Sequence, residues 1–324
     1  MFRKIEISIR TILFTVALLA GIWLLLQIKD ILFLVFIAFL LMTAIYPLVV
    51  WLEKFKIPRA ISTVLIYVVV FGGLGVMIGS AVPALVAQST TLAATLPATA
   101  ARVLPYWNID FQTISGQIAP LSANVLSVTF SIFSNIFTTF TVLILTFYFV
   151  VERREAEDTL TGFLGESAAR RVAAVLQLIE RRLGAWVRGE ILLMTCIGVL
   201  TYTGLLLLHV EFALPLAIIA ALLELVPMIG PIISAIPAVL VGLSVSPVMA
   251  LSVVALYIVI QQIENNIFVP MVMKHSVGIS PLITILALLI GGRLGGIGGA
   301  LLAVPTVLVL QVVLTSLLAA KNPD

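Results

Sequence analysis

Apolar residues in this chain run on for whole helical spans, broken by short polar clusters. A helix needs ~20 mostly apolar residues to cross ~30 Å of hydrocarbon at ~1.5 Å per residue. Thr11–Ile28 meets that length, and the polar pair Lys29-Asp30 breaks it from a second run, Ile31–Trp51. Ile61–Val82, Val125–Val151 and Ile191–Leu208 follow. None alternates in the ~10-residue segments of a membrane barrel strand. The pattern predicts an all-α, polytopic membrane helical bundle. Arg3, Lys4 and Arg10 precede the first run, but its length, the missing cleavage site and the span right behind it predict an anchor, not a signal peptide.

Basic residues orient the spans. Arg3, Lys4 and Arg10 precede the first; Lys54, Lys56 and Arg59 separate the second and third. Arg153, Arg154, Arg170, Arg171, Arg181, Arg182 and Arg188 separate the fourth and fifth, while the alternate loops hold only Lys29 and Arg102. The positive-inside rule then predicts a cytoplasmic N-terminus. The expected organisation is three spans in 1–82, an external helical cap in 83–124, a fourth span in 125–151 and a cytoplasmic amphipathic helical segment in 152–190. Residues 191–324 form a region of broken helices. The cap is apolar and divided by Pro83, Pro97, Pro105 and Pro120. In the cytoplasmic segment, Val172, Leu176, Ile179, Leu183 and Val187 form one helical stripe. Its arginines are free to meet lipid phosphates or a neighbouring subunit.

The second half departs from simple spans. Phe212–Val226 runs into Pro227-Met228-Ile229-Gly230-Pro231. Two prolines around a glycine break a helix, and backbone freed at membrane depth is tolerated only against protein or a wet cavity. Pro227, Gly230 and Pro231 therefore read as the tip of a re-entrant hairpin or a discontinuous helix, with Ile232–Val245 returning. Val248–Val269 carries Gln261-Gln262-Ile263-Glu264-Asn265-Asn266 and meets Pro270. Counting Phe212–Val245 as re-entrant, the chain makes about eight crossings.

Composition narrows the function. Of 324 residues, 62% are hydrophobic and 10% charged. Ordinary soluble domains sit near ~45–50% and ~25%, so a cytosolic enzyme, a disordered chain and a secreted disulfide scaffold are excluded. One cysteine and two histidines leave little for thiolate or imidazole chemistry. No GxSxG, HExxH or GxxxxGK[ST] pattern occurs. Nothing predicts an enzyme, a cofactor, a metal centre or a nucleic-acid partner.

Charges inside apolar runs cost at least ~2.5–3.5 kcal/mol each at the bilayer centre. Glu224, Glu264 and Arg293 are the candidates; Glu211 is expected at the outer interface beside His209. Arg293 lacks a neighbour of opposite sign, which makes Glu224 or Glu264 its expected partner. Gln261, Gln262, Asn265 and Asn266 crowd donors and acceptors around Glu264, either lining a path for a solute or proton, or bonding between helices. Gly291/Gly295, Gly292/Gly296 and Gly295/Gly299 repeat at four residues, a spacing that lets two helices approach closely or permits a sharp turn.

These landmarks resemble a known family. They are Pro227-Met228-Ile229-Gly230-Pro231 with Ile236-Pro237 behind; Gln262-Ile263-Glu264-Asn265-Asn266 and Pro270; and Ser276-Val277-Gly278-Ile279-Ser280-Pro281-Leu282. Gly295-Gly296-Ile297-Gly298-Gly299-Ala300, running to Ala303-Val304-Pro305, completes them. In order and spacing they resemble the autoinducer-2 exporter family of bacterial membrane proteins. The resemblance implies a secondary transporter of the inner membrane, with its transport region in 191–324 and a pentameric homo-oligomer. The implied cargo is a small polar solute such as the quorum-sensing signal autoinducer-2, or sodium exchanged for H+. The family's glutamate-amide motif falls on Gln262, Glu264 and Asn266, and its helix break on Pro227, Gly230 and Pro231. Lys274-His275 is bulkier than the resemblance leads one to expect there.

Overall fold

A computed structural model of the chain describes residues 9–77, 79, 136–227, 229–273 and 280–321. The external cap, the start of the fourth span and the segment 274–279, which holds Lys274-His275, lie outside the described residues. Within them every regular element is helical, and the chain is a polytopic helical membrane protein. Five stretches are long and apolar enough to cross a bilayer: Lys29–Glu53, Arg59–Met77, Glu166–Leu207, Pro247–Met271 and Pro281–Leu301.

Helix α1 (Ile9–Gln27) meets α2 (Lys29–Glu53) at a bend on Ile28. Ile28 N–H donates to Leu24 O and Leu32 N–H to Ile28 O, both at 3.0 Å. Helical hydrogen bonding thus crosses the joint, and α1 scarcely packs on α2. The expected polar break is a bend, not a tight turn between two packed spans. Helix α3 (Arg59–Met77) and α4 (Ile136–Val151) enclose a core with α2 built on Met42, Ile45, Val49, Ile66 and Val150. Two hydroxyls anchor it: Tyr67 donates to Leu143 O at 2.8 Å, and Thr146 to Ala38 O at 3.2 Å. An Arg59–Glu53 ion pair closes the α2–α3 loop.

A single 3-10 turn, Glu152–Arg154, leads to the short α5 (Ala156–Leu164). Gly165, at φ +75° and ψ 160°, then reverses the chain, a conformation open essentially to glycine alone. Helix α6 (Glu166–Leu207) follows without interruption for 42 residues, about 63 Å at the helical rise. The cytoplasmic segment and the fifth span expected from the sequence are therefore one rod. Its buried stripe runs Ile179, Leu183, Trp186, Glu190, Leu193, Ile197, Thr201 and Leu205. Glycines bring neighbours close along it. A Cβ on Gly184 would stand 3.0 Å from the Thr43 carbonyl of α2, and one on Gly198 3.0 Å from Ala221.

The expected break is present. Helix α7 (Ala213–Leu223) stops after 11 residues, too short to span, and α8 (Ile229–Val245) leaves it beyond the turn at Glu224–Pro227. The turn satisfies much of its own backbone. Leu225 N–H reaches Leu222 O at 3.4 Å, Val226 N–H reaches Leu223 O at 3.0 Å, and Gly230 N–H reaches Val226 O at 2.8 Å. Glycine is required at 230, since a Cβ there would lie 1.9 Å from Leu223 O. Pro231 falls in the first turn of α8, where its missing N–H is harmless.

Ser246 caps α9 (Pro247–Ile263), accepting from Met249 N–H at 3.0 Å, with Pro247 in the first helical position. The helix widens into a π-helical segment, Glu264–Phe268, before α10 (Val269–Met273). Helix α11 (Pro281–Leu301) kinks at Gly295-Gly296, where Gly296 has φ +59°, and α12 (Ala303–Lys321) completes the fold. At that kink the backbones of Gly291 and Gly299 touch: a Cβ on Gly299 would lie 2.0 Å from Gly291 O. The four-residue glycine spacing is not what packs there. The contact joins glycines eight apart across a sharp turn.

Replacing Gly230 with Ala forces two backbone segments apart and is expected to cost about 1–3 kcal/mol. Gly292→Ala, which meets open space, is the matched control and should not destabilise. Thermal unfolding of the purified protein in detergent checks the difference.

Candidate functional site

Three carboxylates meet where the long helix passes both interruptions. Glu190 comes from the middle of α6, Glu224 from the C-terminal cap of α7, and Glu264 opens the π-helical segment. Their exposures are 2%, 3% and 6%. Helix α6 packs on α7, on α9 and on the π-helical segment, which brings the three together. Glu190, Glu224 and Glu264 lie within electrostatic range of one another. Gln261 donates Nε2–H to Glu264 Oε2 at 2.8 Å. One oxygen each of Glu190 and Glu224 is buried without a hydrogen-bond partner.

The local backbone explains the arrangement. Pro270 has no N–H for the preceding helical turn, and the π-helical segment absorbs that defect, with Val269 N–H donating to Glu264 O. One extra residue in the turn changes the direction of Glu264 relative to a regular helix, a pattern frequent at functional sites. On α7 the turn at Glu224–Pro227 leaves Glu224 at the helix end, pointing back into the bundle. An apolar cluster of Ile197, Ala220 and Ile260 seals one side, with Phe268 packed against it.

No basic residue among the described ones answers these acids. The ion pairs are Arg59–Glu53, Arg153–Glu180 and Arg170–Glu166, all elsewhere. Arg293 is exposed on α11 and does not pair with Glu224 or Glu264. The expected bridge fails because α11 packs chiefly on α12. Among the amides, Gln261 alone turns to the acids. Gln262, Asn265 and Asn266 are exposed, and Asn266 Nδ2–H donates to Gln262 O at 2.8 Å. Glu211 and His209 lie exposed in the α6–α7 turn. Pro227, Gly230 and Pro231 frame the break, and Pro270 the π-helical segment.

Glu190 was not among the residues singled out from the sequence. A signal was there: the apolar stripe through Leu183 and Val187 reaches Glu190 three residues on, which places a carboxylate on the buried face. Two carboxyl groups this close, with no described cation beside them, repel each other while both are charged. Among the described residues no three His, Cys, Asp or Glu side chains close to the spacing of a metal site.

A bundle of apolar helices with two interrupted ones and buried acids at the interruption fits a membrane transporter. The comparisons agree. The model of the AI-2E family transporter matches residues 12–319, and the chain belongs to that family. YrrI of Bacillus subtilis is 29% identical over 306 residues, covering 89% of this chain and 86% of its own. MT0215 of Mycobacterium tuberculosis is 27% identical over 315 residues, 92% and 86% respectively. YhhT of Escherichia coli reaches 42% over 109 residues, about a third of each chain. All three are named for transport, with no cargo in the name. The protein is a multi-pass membrane transporter.

Glu190→Gln keeps the shape and removes a buried charge without a basic partner. It should unfold at the wild-type temperature or above, because a buried ionic group without a good partner costs stability. Arg293→Gln should change stability by no more than about 0.5 kcal/mol, as for surface positions. Thermal melts of both variants, side by side, check this.

Proposed function

We propose that this chain is a proton-coupled secondary transporter that exports a small polar solute such as autoinducer-2, with the coupling proton carried by Glu264, Glu224 and Glu190. The carrying observation is the meeting of these three buried acids at two helix interruptions with no described base beside them. A proton bound there cancels charge in a low-dielectric interior. Its release to one side recharges the cluster and favours hydration, which biases the two access states of the carrier. The break at Pro227–Pro231 and Gln261 offer hydrogen bonds to a neutral cargo. Gln262, Asn265 and Asn266 stand on the outer side of the same segment, available to cargo once neighbouring helices shift. The chain acts as a carrier, not an enzyme.

A second reading is sodium–proton antiport. The buried, unpartnered oxygens of Glu190 and Glu224 favour it, since sodium takes carboxylate and carbonyl oxygens. The family resemblance implies the bacterial inner membrane, and the charge pattern of the loops implies a cytoplasmic N-terminus. Helix α11 presents Leu282, Leu286, Leu289 and Leu294 outward, an apolar face that suits lipid or the homo-oligomer the family resemblance implies.

Proteoliposomes separate the readings. In the first, an imposed proton gradient drives solute export that is indifferent to sodium, and Glu264→Gln lowers it by about 100-fold, the lower end of the range for a positioned proton-transfer group. In the second, sodium drives proton flux that the same variant abolishes. Wild-type transport by Glu264→Gln, in a variant that still elutes as folded protein, overturns both.

A further inference from the structure

A second site lies two residues from the acid cluster along α6, on the opposite side of the helix. A cavity of about 270 Å³ opens between α6 and α2. Its lining includes Thr43, Tyr46 and Pro47 of α2, and Gln177, Arg181 and Arg188 of α6. On α6 these residues fall at 177, 181, 184 and 188, one face of the helix. Gly184 makes the room. A Cβ there would meet Thr43 O at 3.0 Å and Arg188 Nη1 at 3.1 Å, so the guanidinium folds back over the glycine into the space between the helices. Pro47, in the interior of α2, deprives the Thr43 carbonyl of its helical donor, leaving an acceptor beside Arg188.

Charge at this cavity is unbalanced. Arg181 and Arg188 have no ion pair or hydrogen bond among the described residues. Glu180 also lines the cavity, and Arg153 holds it at 2.8 Å. Arg59 stands over the ring of Tyr46, 5.8 Å from its centroid, and is itself paired with Glu53. That leaves two guanidinium groups on one concave wall, with the Tyr46 hydroxyl on its rim. Such a set matches a phosphate, which takes two guanidinium forks and neutral donors at once.

Position selects the phosphate's source. The apolar run of α6 begins at Ile191, three residues past Arg188. On α2, Tyr46 lies two turns before Lys54, at the level where a spanning helix passes from hydrocarbon to headgroups. We propose that this cavity binds the phosphate of an anionic phospholipid headgroup, held by Arg181 and Arg188, and so ties α6 to α2 at the membrane surface. Free phosphate offers the same chemistry without the acyl chains.

Native mass spectrometry of the full-length protein in detergent tests it, with phosphatidylglycerol, phosphatidylcholine and inorganic phosphate as probes. Wild type should retain phosphatidylglycerol over phosphatidylcholine. Arg181→Ala and Arg188→Ala should each weaken that retention by about tenfold, the loss of a charge-assisted contact. Arg188→Lys should recover part of it, and Arg170→Ala, outside the cavity, should change nothing. All three positions are exposed, and a wild-type melting temperature confirms that each variant is folded. Millimolar phosphate that leaves the lipid bound supports a lipid site; phosphate that displaces it at that concentration assigns the cavity to the free anion and overturns the lipid proposal. Equal retention of both lipids by wild type, or full retention of phosphatidylglycerol by both alanine variants, also overturns it.

Discussion

Inside a bilayer, a carboxylate and a broken helix pose the same problem, because each strips polar groups of the water that would satisfy them. This protein places the two together. The α7–α8 turn answers its own backbone through short-range bonds such as Val226 N–H to Leu223 O. The π-helical segment answers the defect left by Pro270. What remains unanswered is the charge of Glu190, Glu224 and Glu264, and nothing basic among the described residues lies within reach. The surrounding helices bury that charge instead of exposing it, at a cost in free energy. The rest of the architecture, from the short α7 to the glycine contacts that pull helices onto α6, serves to hold these acids at one point.

The glycines act as spacers set by geometry. Gly184 lets α6 lie on a carbonyl of α2, and Gly230 lets α8 start against the end of α7. Gly291 and Gly299 let α11 fold on itself. In each case the partner is main chain, where any side chain would have to displace a backbone rather than rotate aside.

Much of this was legible from residues alone. Spans were readable because hydrocarbon demands length and continuity. The break at Pro227–Pro231 was readable because proline and glycine act locally. Glu264 stood out as a charge inside an apolar run. Three features escaped. Glu190 sits among arginines, so a count of charges assigns it to the cytoplasm, although its helical phase puts it on the buried stripe. The partner of Arg293 depended on which helices pack together, and sequence distance carries no such information. The glycine repeat suggested four-residue packing between helices, whereas the contact formed across a reversal, which needs knowledge of where the chain turns.

Helix α6 has a mechanical consequence. A rod of 42 residues without a proline cannot flex at its centre as α2 or α8 can, since each of those carries an internal proline. It meets α2 and the acids around its middle, and α9 near its C-terminal end, where Gly204 meets Leu256. Any tilt of this shaft is delivered to all three places together, so these contacts either change in concert or the neighbours slide past a fixed rod.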